Sequence, residues 1–392
     1  MKRAERLTPI RGFGIDRVAA AAERPAESRP DHRVLRLENL DTDLPLPPEA
    51  VAETASGLER PEANSWLPFT GDVDLRAAIA DFTAERTGHR YDPEKEIVVT
   101  VGGMEGLLNS LLATVDPGDE VVVTDPTYAG MIHRVTFAGG VPMFVPMKVV
   151  DRRWRLDLDM LRAMVTSRTR AMVLSNPNMP SGHVLSEAEW LAIRELCVTR
   201  NLWLLYDAAL EGVLYDGLPL RHPATLTGMP ERTLIVGSVS KEYRMIGWRI
   251  GWIAGPPKVM ADVFYTHSYL VIAPPGISQR GAEVALRAED GGVADAIAEW
   301  KRRRDLMLEQ LDGLPVVIPE GGWSMLLDAH ALGYSATDAA SILLSQAKVA
   351  ATPMTNWGSS VAERYIRLVF SYEPQERLKL LRERLRRTSL LP

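Results

Sequence analysis

Residues 233–252 read TLIVGSVSKEYRMIGWRIGW, and the setting of the single lysine in this stretch decides how the rest of the chain is read. TLIVG (233–237) is a short apolar run rich in β-branched residues, the pattern of a buried strand. Ser238, Ser240, Lys241 and Arg249 lie just beyond its end, where open α/β sheets bind ligands. Two hydroxyls and a forked guanidinium suit a phosphate. A lone lysine is ordinarily a solvated surface group, but one at a ligand-binding strand end can form a Schiff base with a carbonyl. A ligand carrying both a phosphate and an aldehyde would use all four residues.

Working outward, IVVT (97–100), EVVVTDP (120–126), VPMFVPM (141–147), AMVLSNP (171–177), LWLLYDA (202–208) and WIAG (252–255) alternate with longer helical patterns. That alternation predicts an α/β fold, a doubly wound and mostly parallel sheet with helices on both faces. SEAEWLAIRELCVTR (186–200) predicts one such helix, with Ser186 as N-cap and Glu189 completing a capping box. AAAAERPAESRPDHR (19–33) reads as a helix end running into a linker. After about residue 275 the pattern changes. A long charged helix, AEVALRAEDGGVADAIAEWKRRRDLMLEQL (282–311), broken at Gly291 and Gly292, precedes short strands and a terminal helix in PQERLKLLRERLRR (374–387). The expected division is an arm contributing to a small domain (1–48), a large ligand-binding domain (49–274) and a smaller α+β domain (275–392).

Composition narrows the function classes. The 392 residues are 46% hydrophobic and 24% charged, ordinary values for a globular chain. A net charge of −6 argues against a nucleic-acid footprint. One cysteine, Cys197, provides neither a disulfide framework nor a thiolate cluster, and the seven histidines form no metal-binding pair, so no metal site is expected. The start, MKRAERLTPIRGFGID, lacks the apolar core of a signal peptide, and no run is long enough to cross a bilayer. A cytoplasmic location without membrane contact is the expectation.

Other strand ends carry unusual residues. VTVGGMEGLLNSLL (99–112) sets Gly102 and Gly103 between a strand and a helix, where free backbone N–H groups attract anions. DPTYAG (125–130) places Tyr128 where an aromatic could stack on a planar ring, although a core tyrosine fits equally well. LLYDAALEG (204–212) ends an apolar strand on Asp207, a carboxylate in need of a partner such as a pyridinium N–H. RYIRLVFS (364–371) puts Arg367 inside an alternating strand, either as a costly inward charge or as a carboxylate receptor. Phosphate, aldehyde and pyridinium together describe pyridoxal 5'-phosphate.

In order and spacing these motifs resemble the pyridoxal-phosphate-dependent fold type I, class I/II aminotransferase family over roughly residues 35–385. The resemblance implies a small domain built from both chain ends, a homodimer with active sites at the subunit interface, and transfer of an amino group between an α-amino acid and a 2-oxo acid. Position by position, it implies that Lys241 is the Schiff-base lysine and Asp207 the partner of the pyridine nitrogen. Gly103, Met104, Ser238, Ser240 and Arg249 correspond to the phosphate cup, Tyr128 to the ring-stacking aromatic and Arg367 to the substrate-carboxylate receptor.

Five departures stand out. NPNMPSG (176–182) has Met179 where the family has an asparagine, and DAAL (207–210) has Leu210 where it has a tyrosine. In the family both residues bond the cofactor's phenolic oxygen, which a thioether and an alkyl group cannot do; a raised pKa for the imine at Lys241 is expected. Trp66 in WLPFTG replaces a tyrosine that reaches the neighbouring subunit's phosphate, and Met104 replaces a hydroxyl of the cup. RLENLDTDLPLP (36–47) lacks a glycine common near the substrate, so Asn39 or Leu40 is expected to line that pocket. Trp66, Tyr128, Tyr269, Trp323 and Trp357 are candidate pocket walls, and the lack of an obvious second arginine favours a neutral or cationic substrate over a dicarboxylic one. The retained lysine, aspartate and arginine would equally serve a β- or γ-elimination or replacement lyase, a cyclase or an oxidase. An effector-binding regulator of the same fold would need an added DNA-binding domain, and a nicotinamide dehydrogenase a G-x-G-x-x-G motif that is absent.

Overall fold

The computed structural model describes residues 7–10, 12, 14–23 and 33–390. The helix expected before the linker is Ile15–Ala22, while the linker itself, 24–32, lies outside the described residues.

The central sheet has eight strands: β1 (Ile97–Thr100), β2 (Glu120–Asp125), β3 (Val141–Val150), β4 (Arg153–Leu156), β5 (Thr169–Ser175), β6 (Trp203–Asp207), β7 (Thr233–Ser238) and β8 (Gly251–Ala254). Their spatial order is β1-β8-β7-β6-β5-β2-β3-β4. Neighbours from β7 through β3 run parallel, β8 is antiparallel to both β7 and β1, and β4 turns back antiparallel on β3. The wholly apolar strands follow from this placement. Val121, Val123, Leu205 and Val236 enter one hydrophobic core, and Val122, Leu204, Tyr206 and Ile235 enter another across the sheet. Alternate side chains point to opposite faces, so a strand buried on both must be apolar throughout. The sequence reading missed β4, whose RWRL alternates charged and apolar residues over four positions in a hairpin with the end of β3.

Helices Gly103–Thr114, Ala129–Phe137, Glu187–Thr199 and Pro257–Leu270 accompany the sheet. The capping box at Ser186 is present: its hydroxyl accepts from the Glu189 N–H at 3.3 Å, and the Glu189 carboxylate accepts from the Ser186 N–H at 2.7 Å.

A second assembly holds an antiparallel four-stranded sheet, Val316–Val317, Ser324–Asp328, Tyr365–Val369 and Thr352–Pro353 in spatial order. Leu35–Arg36 pairs in parallel with Val349–Ala350, and Leu35 and Leu37 share a core with Trp300, Trp323, Ile366 and Leu381. The charged stretch resolves into helices Gly276–Arg287 and Val293–Gln310, with Gly291 and Gly292 at φ +59° and +68° in the break. The single terminal helix expected is instead two short ones, Gln375–Leu378 and Leu381–Leu385. Among the described residues no helix is long and apolar enough to cross a membrane.

Candidate active site

The ends of β1, β2, β5, β6 and β7 converge on one cavity of about 200 Å³. From β1 the chain passes through Gly102, at φ +73°, into the helix beginning at Gly103. A Cβ at Gly102 would collide with the Arg249 guanidinium, so glycine lets this turn and the arginine lie together. Gly103 and Met104 line the cavity, and the first N–H groups of their helix have no partner within it. Ser238, Ser240 and Arg249 approach from the β7 side. Arg249, at φ +57°, donates from Nη1 to the Ile246 carbonyl at 2.9 Å.

Lys241 lines the same cavity. Its Nζ donates to the Leu40 carbonyl at 3.1 Å and sits 4.6 Å from the centre of the Trp323 ring. Burial is the main force on this amine, opposed by Asp41 and reinforced by Arg367 and Arg249; its pKa is lowered to about 8. Asp207 closes β6, with Oδ1 accepting from the Ala209 N–H at 3.0 Å, and burial raises its carboxyl to about 6. Tyr128 lines the cavity from the end of β2 and meets Trp357 edge-on at 5.5 Å.

Arg367 lies in the small antiparallel sheet, opposite Leu326 and Thr352. It is fully buried, and Nη2 donates to the Glu38 carbonyl at 2.7 Å and to Thr352 Oγ1 at 3.3 Å. Its guanidinium carbon is 4.7 Å from the centre of the Trp357 ring, while Nε and Nη1 have no protein partner. Burial lowers its pKa to about 10.

Met179 and Leu210 both face the cavity, so a thioether and an alkyl group stand at the two altered positions. Leu40 also lines it, whereas Asn39 is half-buried outside the lining. Trp66 is 74% exposed and pairs with Phe69 at 6.1 Å, and Tyr269 is 89% exposed; neither enters the cavity of its own chain. Four wall residues escaped the sequence reading, among them Pro177. Ser175, Ala209 and Ile246 line the cavity beside positions that had been singled out, and Ser175, the last residue of β5, could have been found by its place at a strand end.

A buried charge cluster also went unread. Arg86 pairs with Glu242 at 2.7 Å and with Glu211 at 2.9 Å, bracing the residue after Lys241 against the turn that follows Asp207.

The donor set fits pyridoxal 5'-phosphate. Helix-start N–H groups, two hydroxyls and a guanidinium suit its phosphate, a buried carboxylate suits its pyridinium, and an amine of lowered pKa suits its aldehyde. The two orphaned Arg367 donors are additional and suit a carboxylate.

Residues 36–385 match the family described as aminotransferase class I and II. A Mycobacterium tuberculosis protein named "Probable N-succinyldiaminopimelate aminotransferase DapC" is 35% identical over 295 residues, 74% of each chain. The arginine–pyruvate transaminase AruH of Pseudomonas aeruginosa is 32% identical over 357 residues, 90% of this chain and 87% of that one. The solved structure of N-succinyldiaminopimelate aminotransferase from Mycobacterium tuberculosis superposes with a TM-score of 0.92 at 31% identity, covering the whole of both chains. With the profile match spanning nearly the whole chain and the same fold at 31% identity, the chain belongs to the class I and II aminotransferases, pyridoxal-phosphate-dependent enzymes that exchange amino groups between amino acids and 2-oxo acids.

Proposed function

We propose that this aminotransferase works through three charged residues: Lys241 holds the cofactor's aldehyde, Asp207 its ring nitrogen, and Arg367 the substrate's α-carboxylate. The observation that carries this reading is the meeting of Lys241 and Asp207 in one buried cavity with the phosphate-binding donor set. When bound, pyridoxal phosphate supplies an electron sink for the charge that develops on the substrate α-carbon. Every other requirement falls to side chains. Arg367 offers Nε–H and Nη1–H, both without protein partners, and a carboxylate accepting from one of these donors would offset part of the cost of burying the guanidinium. A substrate held there sets its α-carbon toward Lys241. With its pKa lowered to about 8, the Lys241 amine has an appreciable neutral fraction near neutral pH and serves as the base that takes and returns the α-proton. Asp207 is raised to about 6 by burial alone; a cationic N–H beside it favours the carboxylate. The remaining cup residues Gly103, Met104, Ser238, Ser240 and Arg249 hold the phosphate, and Tyr128 lies on the ring. Leu40, Met179, Leu210 and Ile246 keep water from the reacting atoms.

Among the described residues Arg249 is the one arginine lining the cavity, and the phosphate engages it. The amino donor is therefore neutral or cationic rather than dicarboxylic. The relatives' names include arginine, aspartate and aromatic donors, so they do not choose among them. We place the protein in the cytoplasm as a homodimer. Trp66, Phe69, Tyr265, Tyr269 and Leu270 form exposed apolar surface in the single chain, which suits a subunit contact where Trp66 reaches the neighbouring phosphate. The working division remains 1–48, 49–274 and 275–392; helix Gly276–Arg287 sits at that seam, with Gly281 against Thr54 of helix Pro48–Gly57.

Met179 and Leu210 favour a second reading, elimination or replacement at the β or γ carbon, because they remove the usual polar contacts to the cofactor oxygen. Lys241→Ala tests the primary assignment. The variant is expected to lose cofactor that borohydride can fix to the protein, and fixed label retained at wild-type stoichiometry rejects it.

A further inference from the structure

Lys241 and Asp207 serve one rigid ligand from two different strand ends. On the assignment above, the amine meets the aldehyde and the carboxylate meets the ring nitrogen, groups at opposite ends of one flat ring. Their separation therefore has to be held. The backbone stretches that carry them are tied by a side chain that does not line the active-site cavity, that of Glu242, the buried residue after Lys241. Glu242 Oε1 accepts from the Gly212 N–H at 2.7 Å and from Arg86 Nη1 at 3.2 Å, and Oε2 accepts from Arg86 Nη2 at 2.7 Å. Gly212 ends the turn that follows Asp207, and the Ala209 N–H in the same turn donates to Asp207 Oδ1 at 3.0 Å. One carboxylate thus links the lysine's neighbour to the turn that orients the aspartate.

The tie is braced at both ends. Arg86, in the last turn of helix Val73–Thr87, also donates to buried Glu211 at 2.9 Å and so grips the turn a second time. On the lysine side, the Arg244 N–H donates to the Lys241 carbonyl at 3.1 Å, and Arg244 Nη1 donates to the Glu242 carbonyl at 3.0 Å. The fit at Gly212 is close, because a Cβ there would lie 2.7 Å from Glu242 Oε2. Two buried carboxylates share one guanidinium, an arrangement whose stability apolar side chains of similar volume can equal or exceed. What the forked ion pair adds over such packing is direction, a fixed placement of Glu242 against both partners.

We propose that Glu242 is a positioning residue for the reaction: by tying the residue after Lys241 to the turn after Asp207, it keeps the Lys241 amine aimed at the substrate's α-hydrogen. The proposal rests on the reading of Lys241 as the base and Asp207 as the partner of the ring nitrogen. Glu242 neither binds substrate nor moves a proton. Loosening it leaves the amine present but misdirected.

The test follows exchange of the α-hydrogen. Cofactor-loaded wild type, Glu242→Gln and Gly212→Ala are each incubated with a mixture of L-amino acids in deuterium oxide, and mass analysis reads deuterium uptake at each α-carbon. The donor that exchanges fastest in the wild type is then compared with its α-deuterated form in single-turnover measurements. Glu242→Gln keeps an acceptor for the Gly212 N–H but loses the ion pair, whereas Gly212→Ala keeps the carboxylate and pushes it off its partners. Reaching the same displacement by two routes preserves the test if one variant folds poorly. Both variants should remove the α-hydrogen about tenfold to a hundredfold more slowly at saturating donor, the range for a misplacement on the order of 1 Å. KM should change little, and the primary isotope effect should exceed that of the wild type. Wild-type rates and isotope effects in both variants overturn the proposal. So does a loss that only follows the folded or cofactor-bound fraction, or one that falls on KM alone, the pattern of a residue that merely supports the fold. If the wild type exchanges the α-hydrogen of no amino acid, the reading of Lys241 fails first and takes the proposal with it.

Discussion

The two sides of the cavity are built on opposite principles. On one, Lys241 and Asp207 line the cavity, backed by Arg367 buried in the small sheet, three charges that an apolar interior penalises. On the other, Met179 and Leu210 present atoms that neither donate nor accept strongly. The first side provides what any reaction at an amino acid's α-carbon needs: a base, a partner for the electron sink and a carboxylate anchor. In the proposed site the second would border the cofactor oxygen, where the number of donors would set how tightly a proton is held at the neighbouring nitrogen. Family membership is therefore written on the charged side, and two of the departures from family habit, Met179 and Leu210, on the apolar one.

Removing charges from the first side should have the largest effects. Lys241→Ala deletes the base as well as the covalent hold, so kcat should fall by about a thousandfold or more in single-turnover measurements. A loss below tenfold would break the contrast between the two sides. Arg367→Leu should lower kcat/KM by about a hundredfold, with most of the change in KM, because the receptor binds the carboxylate throughout the reaction. An unchanged KM for every donor would place the carboxylate elsewhere.

Restoring polar groups on the second side should shift a titration more than a rate. Leu210→Tyr, and Met179→Asn separately, each returns a donor to the cofactor oxygen and should lower the pKa of the loaded enzyme's visible band by about one unit. A wild-type band that already deprotonates below neutral pH, or variants that titrate like it, would remove the meaning given to these two residues.

The smallest effect concerns the support of that wall. His183 follows the loop carrying Met179 and sits between Glu189 at 3.0 Å and Glu320 at 3.2 Å, so it ties the loop to the turn leading into Trp323. Burial alone would lower its pKa, but the two carboxylates outweigh that and raise it. With the folded value above the unfolded one, the protonated form's contribution is fully present below about pH 6.5 and is lost as pH rises through the folded value. Thermal melts should show stability declining over that window, and His183→Gln should flatten the decline. Identical pH profiles for the two proteins would show that the tie is not a charged one.

What could be read from the sequence follows the same physics. The parallel strands were legible because burial on both faces leaves no polar position, as in Val121–Val122–Val123. Lys241, Asp207, Gly103 and Ser238 were legible because a parallel sheet gathers strand ends on one edge. Arg367 could be singled out as a charge within an alternating strand, but the partners of its Nη2, Glu38 and Thr352, lie 329 and 15 positions away. The same limit hid the Leu40 carbonyl at Lys241, 201 positions apart, and the link from Arg86 to Glu211 and Glu242. Strand β4 went unseen because four alternating residues carry too little pattern, and the terminal helix was drawn whole because its charges give no sign of the break between Leu378 and Leu381.

The central claim is that an apolar wall beside an intact charged set still carries out amino transfer. The most direct measurement adds single amino acids to the cofactor-loaded protein, follows its visible band and weighs every product. Bleaching matched by one equivalent of the corresponding 2-oxo acid, with the band restored by an added 2-oxo acid, is the predicted result. Ammonia, a thiol or a cyclised product, with no return of the band on adding an oxo acid, would contradict the account and assign Met179 and Leu210 to a different reaction.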